Sequence, residues 1–227
     1  MIQPASAQVN YWDRVAHEKR FSHPLRVEWL ERYLKNPRAA ILDYGCGYGR
    51  TLAELSVAGY ENPFGVDFSE AMLARARVAI LRTNELQTNS LSPGLARNDG
   101  HSLPFKNDSF DAVLLFAVLT CIPDNNEQRY LLAEVERVLR PGGLLYVSDV
   151  LINNDQRNRE RYDRDAERFG CYGVFELPEG VVVRHHEREW IDELTSPFQQ
   201  LEFEPFTVTT MNGNASAAFQ YLGRKSG

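Results

Sequence analysis

The sequence predicts an α/β chain built on an open, mostly parallel sheet with helices on both faces. Three observations predict it. From Ala39 onward, short apolar runs suited to buried strands alternate with stretches of helical period. The first of those runs ends in an acid and a turn with glycines on alternate positions, Asp43-Tyr44-Gly45-Cys46-Gly47-Tyr48-Gly49. Near the end, Phe203 to Thr210 and Ala215 to Tyr221 read as a strand pair joined through Asn212-Gly213.

Taken in order, Trp12, Val15 and Ala16, then Leu25, Trp29, Leu30, Tyr33 and Leu34, recur at helical spacing, and His23-Pro24 divides them into two helices. Asn36-Pro37-Arg38 breaks the second helix and feeds the strand that ends at Leu42. Glycines suit the turn that follows because they take positive φ and let a ligand lie against bare main chain. A G-x-G-x-x-G dinucleotide fingerprint would need its third glycine at position 50, which is Arg50, so the register disfavours a nicotinamide cofactor. A short helix stops at Gly59, and Phe64-Gly65-Val66-Asp67 forms the second strand. Its terminal acid stands where nucleotide folds accept ribose hydroxyls, and Phe68 follows where it would cover an adenine face. Ser69 caps the helix carrying Ala71, Met72, Leu73, Ala76 and Ile80.

Thr83 to Pro93 reads as a long polar loop, and Leu95-Ala96-Arg97 as a short strand before Asn98-Asp99-Gly100. Ala112 to Phe116 is continuously apolar, as a central strand should be, and Phe116, Ala117 and Leu119 at its carboxyl end face the crevice where such sheets bind ligands. Leu131, Leu132, Val135 and Leu139 mark a helix ended by Pro141-Gly142-Gly143, and Leu144 to Asp149 is the next strand.

The bulk properties narrow the function. A chain of 227 residues suits one domain with a full core. The net charge of -6 argues against a nucleic-acid phosphate backbone as partner. Cys46, Cys121 and Cys171 are odd in number and far apart, which supports neither a disulfide framework nor a zinc site and fits a cytoplasmic location. The longest apolar run, Ala112 to Leu119, is too short to span a membrane.

As a set, these segments resemble the class I methyltransferases that use S-adenosylmethionine, specifically the small-molecule, methyltransferase type 11-like members. The resemblance rests on the Asp43 to Gly49 turn, Asp67-Phe68-Ser69 followed by Met72-Leu73-Ala74-Arg75, Leu103-Pro104-Phe105 with Ser109-Phe110-Asp111, and the Glu134 to Asp149 run through Pro141-Gly142-Gly143. They occur in family order over residues 39 to 150. The resemblance implies a Rossmann-like, seven-stranded, mostly parallel sheet with the last strand antiparallel and an N-terminal helical lid. One domain would then divide into a lid (1–36), a cofactor-binding core (37–150), a substrate-side insertion (151–190) and a terminal helix and strand pair (191–227).

The implied cofactor is S-adenosylmethionine and the implied product S-adenosylhomocysteine. Its contacts would come from Tyr11 and Trp12 of the lid, Asp43, Gly45, Cys46, Gly47, Asp67, Phe68, Met72, Asp99, Gly100, His101, Phe116, Ala117 and Leu119. Asp99 would take the adenine amino group. Trp12 reads equally as an ordinary packing residue, and His101 equally as a surface histidine.

Residues 151 to 190 would serve the methyl acceptor. Arg157, Arg161, Arg164 and Arg168 share one helical stripe, but Asp155, Glu160, Asp163, Asp165 and Glu167 match them, so the stripe reads as a solvated face. Tyr172 and Phe175 would wall an apolar pocket from a loop. Val181 to His186 alternates as a strand, so His185 and His186 point to opposite faces. His185 is the first candidate for a general base, with His186 and Asp149 as alternatives, and a structural role for His185 stands beside that one. No metal set is expected. The expected partner is a small-molecule acceptor methylated on O or N, with neither nucleic acid nor membrane, and the chain a monomer or homodimer. A non-catalytic S-adenosylmethionine or S-adenosylhomocysteine sensor is the main alternative, and a protein or tRNA methyltransferase a more distant one.

Overall fold

The computed structural model describes residues 5–18, 22–85, 93–98, 102–210 and 212–227. Asp99, Gly100 and His101 therefore lie outside the described residues. Two helices come first, α1 (Ala5–Val15) and α2 (Val27–Tyr33). Strands and helices then alternate: β1 (Ala40–Tyr44), α3 (Arg50–Val57), β2 (Asn62–Asp67), α4 (Glu70–Glu85), β3 (Gly94–Arg97), β4 (Phe110–Phe116), α5 (Asn125–Val138) and β5 (Leu139–Val150). The remainder is α6 (Gln156–Phe169), β6 (Val174–Glu176), β7 (Val182–Arg184), α7 (Arg188–Leu194), β8 (Phe198–Thr209) and β9 (Ala215–Lys225).

The main sheet has seven strands among the described residues, in the order β3-β2-β1-β4-β5-β9-β8. Its first five strands are parallel, while β9 runs antiparallel to both β5 and β8. The strand order reverses between β1 and β4, where their carboxyl ends open a crevice.

Alternation along β4 builds both halves of the core. Val113 and Leu115 face the α5 and α7 side, with Leu131, Val135, Ile191 and Leu194. Ala112, Leu114 and Phe116 face the other side, with Trp29, Leu30, Leu55 and Tyr146. Each such side chain, fully buried, contributes about 1.5–3 kcal/mol. A third cluster gathers Tyr11, Trp12, Val15, Met72, Tyr162, Phe175, Val181 and Val183, joining α1, the start of α4, α6 and the β6–β7 pair.

Two local expectations are corrected. Gly170 to Pro178, read as loop, contains β6, which pairs antiparallel with β7 as a separate two-stranded sheet. The expected Val181 to His186 strand shortens to β7, and His186 instead bridges Leu151. Among the described residues no helix is long and apolar enough to cross a membrane.

Candidate functional site

The glycine turn is built by main-chain bonds to the neighbouring strand. Gly45 and Cys46 both donate their N–H to the Val66 carbonyl, at 2.8 and 3.0 Å. Gly45, Gly47 and Gly49 take φ of +71°, +52° and +81°, conformations that side chains disfavour. Gly45 also lacks room, since a Cβ there would stand 2.8 Å from Val118. The Cys46 side chain is buried against Leu52 and Leu73, which leaves the turn's main chain to any ligand.

Asp67 holds this turn. Its Oδ2 accepts from Gly47 N and its Oδ1 from Ser69 N, both at 2.8 Å. Burial pushes its carboxyl up from the usual range, while those two bonds act against the shift. Ser69 caps α4 by accepting from Met72 N at 3.1 Å. Asp13 of α1 accepts from Ser69 Oγ and from Ala71 N, so α1 is tied to the same helix start. Phe68 packs against the third cluster.

Several buried polar atoms around the crevice have no hydrogen-bond partner among the described residues. They are Asp43 Oδ2, Tyr11 Oη, Gln8 Oε1 and Asn98 Nδ2, from β1, α1 and the end of β3. Buried polar groups are normally paired, so a cluster of orphans at one crevice marks a place for a polar ligand. Burial lifts the Asp43 carboxyl to about 7, and Arg50 acts in the opposite direction. A ligand carrying positive charge would restore the ionised form.

Beside the crevice lies a cavity of about 790 Å³, lined by Trp12, His23, Ala117, Thr120, Cys121, Phe175 and His185 among others. Ala117 adopts φ of +55°, unusual for a residue with a Cβ, and donates its N–H to the Ser148 carbonyl at 2.8 Å. Arg157, Arg161, Arg164 and Arg168 of α6 all line this cavity, where β6 packs beside the helix; Arg157, Arg164 and Arg168 are exposed, as expected of a solvated face, and Arg161 alone of the four is partly buried.

The two histidines diverge. His185 lines the cavity, with its Nδ1 2.5 Å from Tyr162 Oη. Tyr162 is fully buried and its oxygen accepts from Asn153 N at 3.3 Å, so its hydrogen goes to His185 Nδ1. The ring proton of His185 then sits on Nε2, making the ring a donor towards its surroundings. Burial and the charge of Arg161 hold its pKa well below the usual histidine value.

His186 and Asp149, the alternative bases, are fully buried and outside the cavity lining. Gln128 Oε1 accepts from Trp190 Nε1 at 2.7 Å, which orients Gln128 Nε2 as a donor towards His186 Nε2 at 3.0 Å. His186 Nδ1 then donates to the Val150 carbonyl at 3.1 Å. Burial pushes His186 down to about 3 and Asp149 up to about 7, so His186 is neutral and the 3.8 Å approach between them is no ion pair. Asp149 accepts from Val150 N and Thr120 N at 2.8 and 3.1 Å. These bonds occupy both groups inside the core, and the expectation of a base at either is corrected.

Of the remaining expected residues, Tyr11, Trp12 and Met72 meet in the third cluster. Leu119 packs in the α5-side core instead of facing the crevice, and Phe116 packs edge-on against Tyr146 at 4.9 Å. Phe175 lines the cavity, whereas Tyr172 is 40% exposed, does not line it, and meets Tyr162 edge-on at 5.3 Å. His23, read only as a helix divider, lines the cavity and bonds Ser148 Oγ through Nδ1 at 2.9 Å. No group of three or more acids, histidines and cysteines that could hold a metal occurs among the described residues.

A family model described as a methyltransferase domain matches residues 42–147, the stretch that carries the glycine turn, Asp67 and β4. A crystal structure of an S-adenosylmethionine-dependent methyltransferase from Methanosarcina mazei superposes with a TM-score of 0.81 at 27% identity, covering 89% of this chain and 98% of that one. Residues 42–147 thus carry a methyltransferase domain, and the chain has the fold of the S-adenosylmethionine-dependent methyltransferases. It is also 26% identical over 218 residues to a demethylmenaquinone methyltransferase of Staphylococcus haemolyticus, covering 87% of this chain and 82% of that one. An O-methyltransferase of Pyrenophora dematioidea is 29% identical over 130 residues, covering 57% of this chain and 46% of that protein. The chain thus spans about half or less of the first curated relatives it matches.

S-adenosylmethionine fits the residues present. Its α-ammonium group and sulfonium carry positive charge suited to Asp43, and its hydroxyls and amine can satisfy orphaned donors and acceptors such as Asp43 Oδ2 and Tyr11 Oη.

Proposed function

We propose that the protein transfers a methyl group from S-adenosylmethionine to an oxygen or nitrogen atom of a small-molecule metabolite, releasing S-adenosylhomocysteine. The observation that carries this reading is the juxtaposition of the glycine turn and its unpaired polar atoms with a cavity of about 790 Å³: of the cavity's lining residues, Trp12 packs on Tyr11, Cys121 accepts from Gln8, and Ala117 precedes Val118, which stands against Gly45. A protein that only sensed the cofactor would need no such second cavity.

When bound, the cofactor supplies a methyl group already activated by positive sulfur. Asp67 fixes the turn and would accept from the ribose hydroxyls through its remaining lone pairs, and Asp43 would pair with the α-ammonium group. Tyr11 and Trp12 cover the site from α1, which acts as a lid tied down by Asp13. Phe175, Val183 and Trp12 keep water from the reacting atoms, which favours a step in which charge is lost. Holding the acceptor in line supplies much of the remaining rate. His185, first read as a base, donates from Nε2 to orient the acceptor, because Tyr162 occupies Nδ1.

The test is incubation with methyl-labelled S-adenosylmethionine and a library of small acceptors, alongside calorimetric titration with S-adenosylhomocysteine. Label appearing in a small molecule, with saturable product binding, is expected. Product binding with no transfer to any acceptor would favour the sensor, and absence of binding would remove the cofactor assignment.

A further inference from the structure

We infer that the methyl acceptor carries a carboxylate and that Arg161 is the residue that binds it. The inference rests on the methyl-transfer reading for the word acceptor, but the site itself is read from α6 and the cavity.

Four arginines and three carboxylates, those of Glu160, Asp165 and Glu176, line the cavity, leaving one excess positive charge in a chain whose net charge is -6. Two of the four arginines pair within the cavity and a third turns to Asp155 outside its lining, which leaves Arg161 and Glu160, among the described residues, without an opposite charge at ion-pair distance. Arg164 forms a two-pronged bond to Asp165, at 3.0 and 2.7 Å. Arg168 meets Glu176 at 2.5 Å. Arg157 lies 3.9 Å from Asp155. Glu160 accepts from Gln156 at 2.7 Å. Among the described residues, Arg161 has no carboxylate within ion-pair distance, and its Nε is buried without a hydrogen-bond partner.

Arg161 is nevertheless held in place. Its guanidinium carbon lies 3.7 Å from the Phe175 ring centroid and 5.8 Å from that of Tyr162. The residue is only partly exposed, and burial holds its pKa below the usual arginine value. A guanidinium stacked on an aromatic floor, stripped of part of its water and lacking a counter-charge, is organised to receive a planar anion in its fork. The three acids nearby disfavour a dianionic phosphate, whereas a single carboxylate matches the one guanidinium without a counter-charge. His185, on the same cavity wall and in ring contact with Phe175 at 5.0 Å, adds a neutral donor suited to the same anion.

The test compares acids with their isosteric amides. Benzoate and 4-hydroxyphenylacetate, against benzamide and 4-hydroxyphenylacetamide, are titrated into the full chain with and without saturating S-adenosylhomocysteine, with binding read by saturation-transfer NMR. In the wild type, at least one acid should bind about tenfold more tightly than its amide. R161M replaces the guanidinium over Phe175 by an uncharged, unbranched side chain, and R161Q keeps a polar head without the charge. Both should shrink the preference to within about threefold while leaving S-adenosylhomocysteine affinity within about twofold. R159Q, which removes an exposed arginine of α6 outside the cavity, should preserve the preference. Acids no tighter than amides, or a preference that survives R161M, would overturn the inference. Failure of S-adenosylhomocysteine to bind would instead count against the proposed function, and the acid-to-amide comparison without it would still decide the role of Arg161.

Discussion

Replacing Asp67 by alanine separates two jobs that one carboxylate performs. The wild-type side chain satisfies Gly47 N and Ser69 N, both at 2.8 Å and both in buried surroundings. Leaving each N–H unpaired costs about 1–3 kcal/mol, so D67A should lose roughly 2–6 kcal/mol, less whatever is recovered by no longer burying the carboxylate. For a chain of this length that is a fall in melting temperature of roughly 4–24 °C. Removing the acceptor for the ribose hydroxyls should cost a further 1.5–3 kcal/mol in binding, or about ten- to a hundredfold in Kd. Calorimetry with S-adenosylhomocysteine, run well below the melting temperature of the variant, measures that term apart from folding. A folded D67A protein that binds S-adenosylhomocysteine as tightly as the wild type would refute the assignment.

Three further outcomes follow from the same geometry. Asp43, lifted by burial to about 7, holds a proton in the folded state that the unfolded chain releases near 3.8. Its stabilising contribution is therefore full below about 3.8 and is lost as pH rises to about 7, and D43N should gain about 2–4 kcal/mol of stability over the wild type across that window while binding S-adenosylmethionine poorly. Melting curves between pH 4 and 8 would show this, and a pH-independent difference would contradict it. H185F should lower turnover about ten- to a hundredfold with S-adenosylhomocysteine affinity changed less than twofold, and the pH profile of the wild type should lack an inflection near 6.5 from this ring, since its pKa is held well below that value. G45A, which forces a Cβ to 2.8 Å from Val118 at a φ of +71°, should destabilise by about 1–3 kcal/mol by denaturant titration, and a neutral effect would mean the turn relaxes freely.

The strand-and-turn core was readable because each signal is local. The apolar run before Asp43, the alternate glycines, Ser69 at a helix start and the apolar β4 all declare themselves within a few residues. The cavity wall was not. Counting acids along α6 balanced its arginines, but Asp163 and Glu167 are exposed and outside the cavity lining while Arg161 lies against Phe175. Charge balance along a helix is not charge balance on one of its faces, and the face turned inward was decided by a distant hairpin with three-residue strands. The proton position on His185 was equally hidden, because Tyr162, Asn153 and His185 come from three separated segments. Leu119 was misplaced for a related reason: beyond the end of β4 the chain enters a 3-10 turn, so strand alternation no longer fixes where its side chain goes.

The central claim is that one ligand spans Asp43, the glycine turn and Asp67. A crystal structure of the protein with S-adenosylhomocysteine tests it most directly. The ribose should meet the Asp67 carboxylate, and the amino-acid end should lie beside Asp43 Oδ2 and Tyr11 Oη. A ligand seated elsewhere, with those atoms still unpaired, would contradict it.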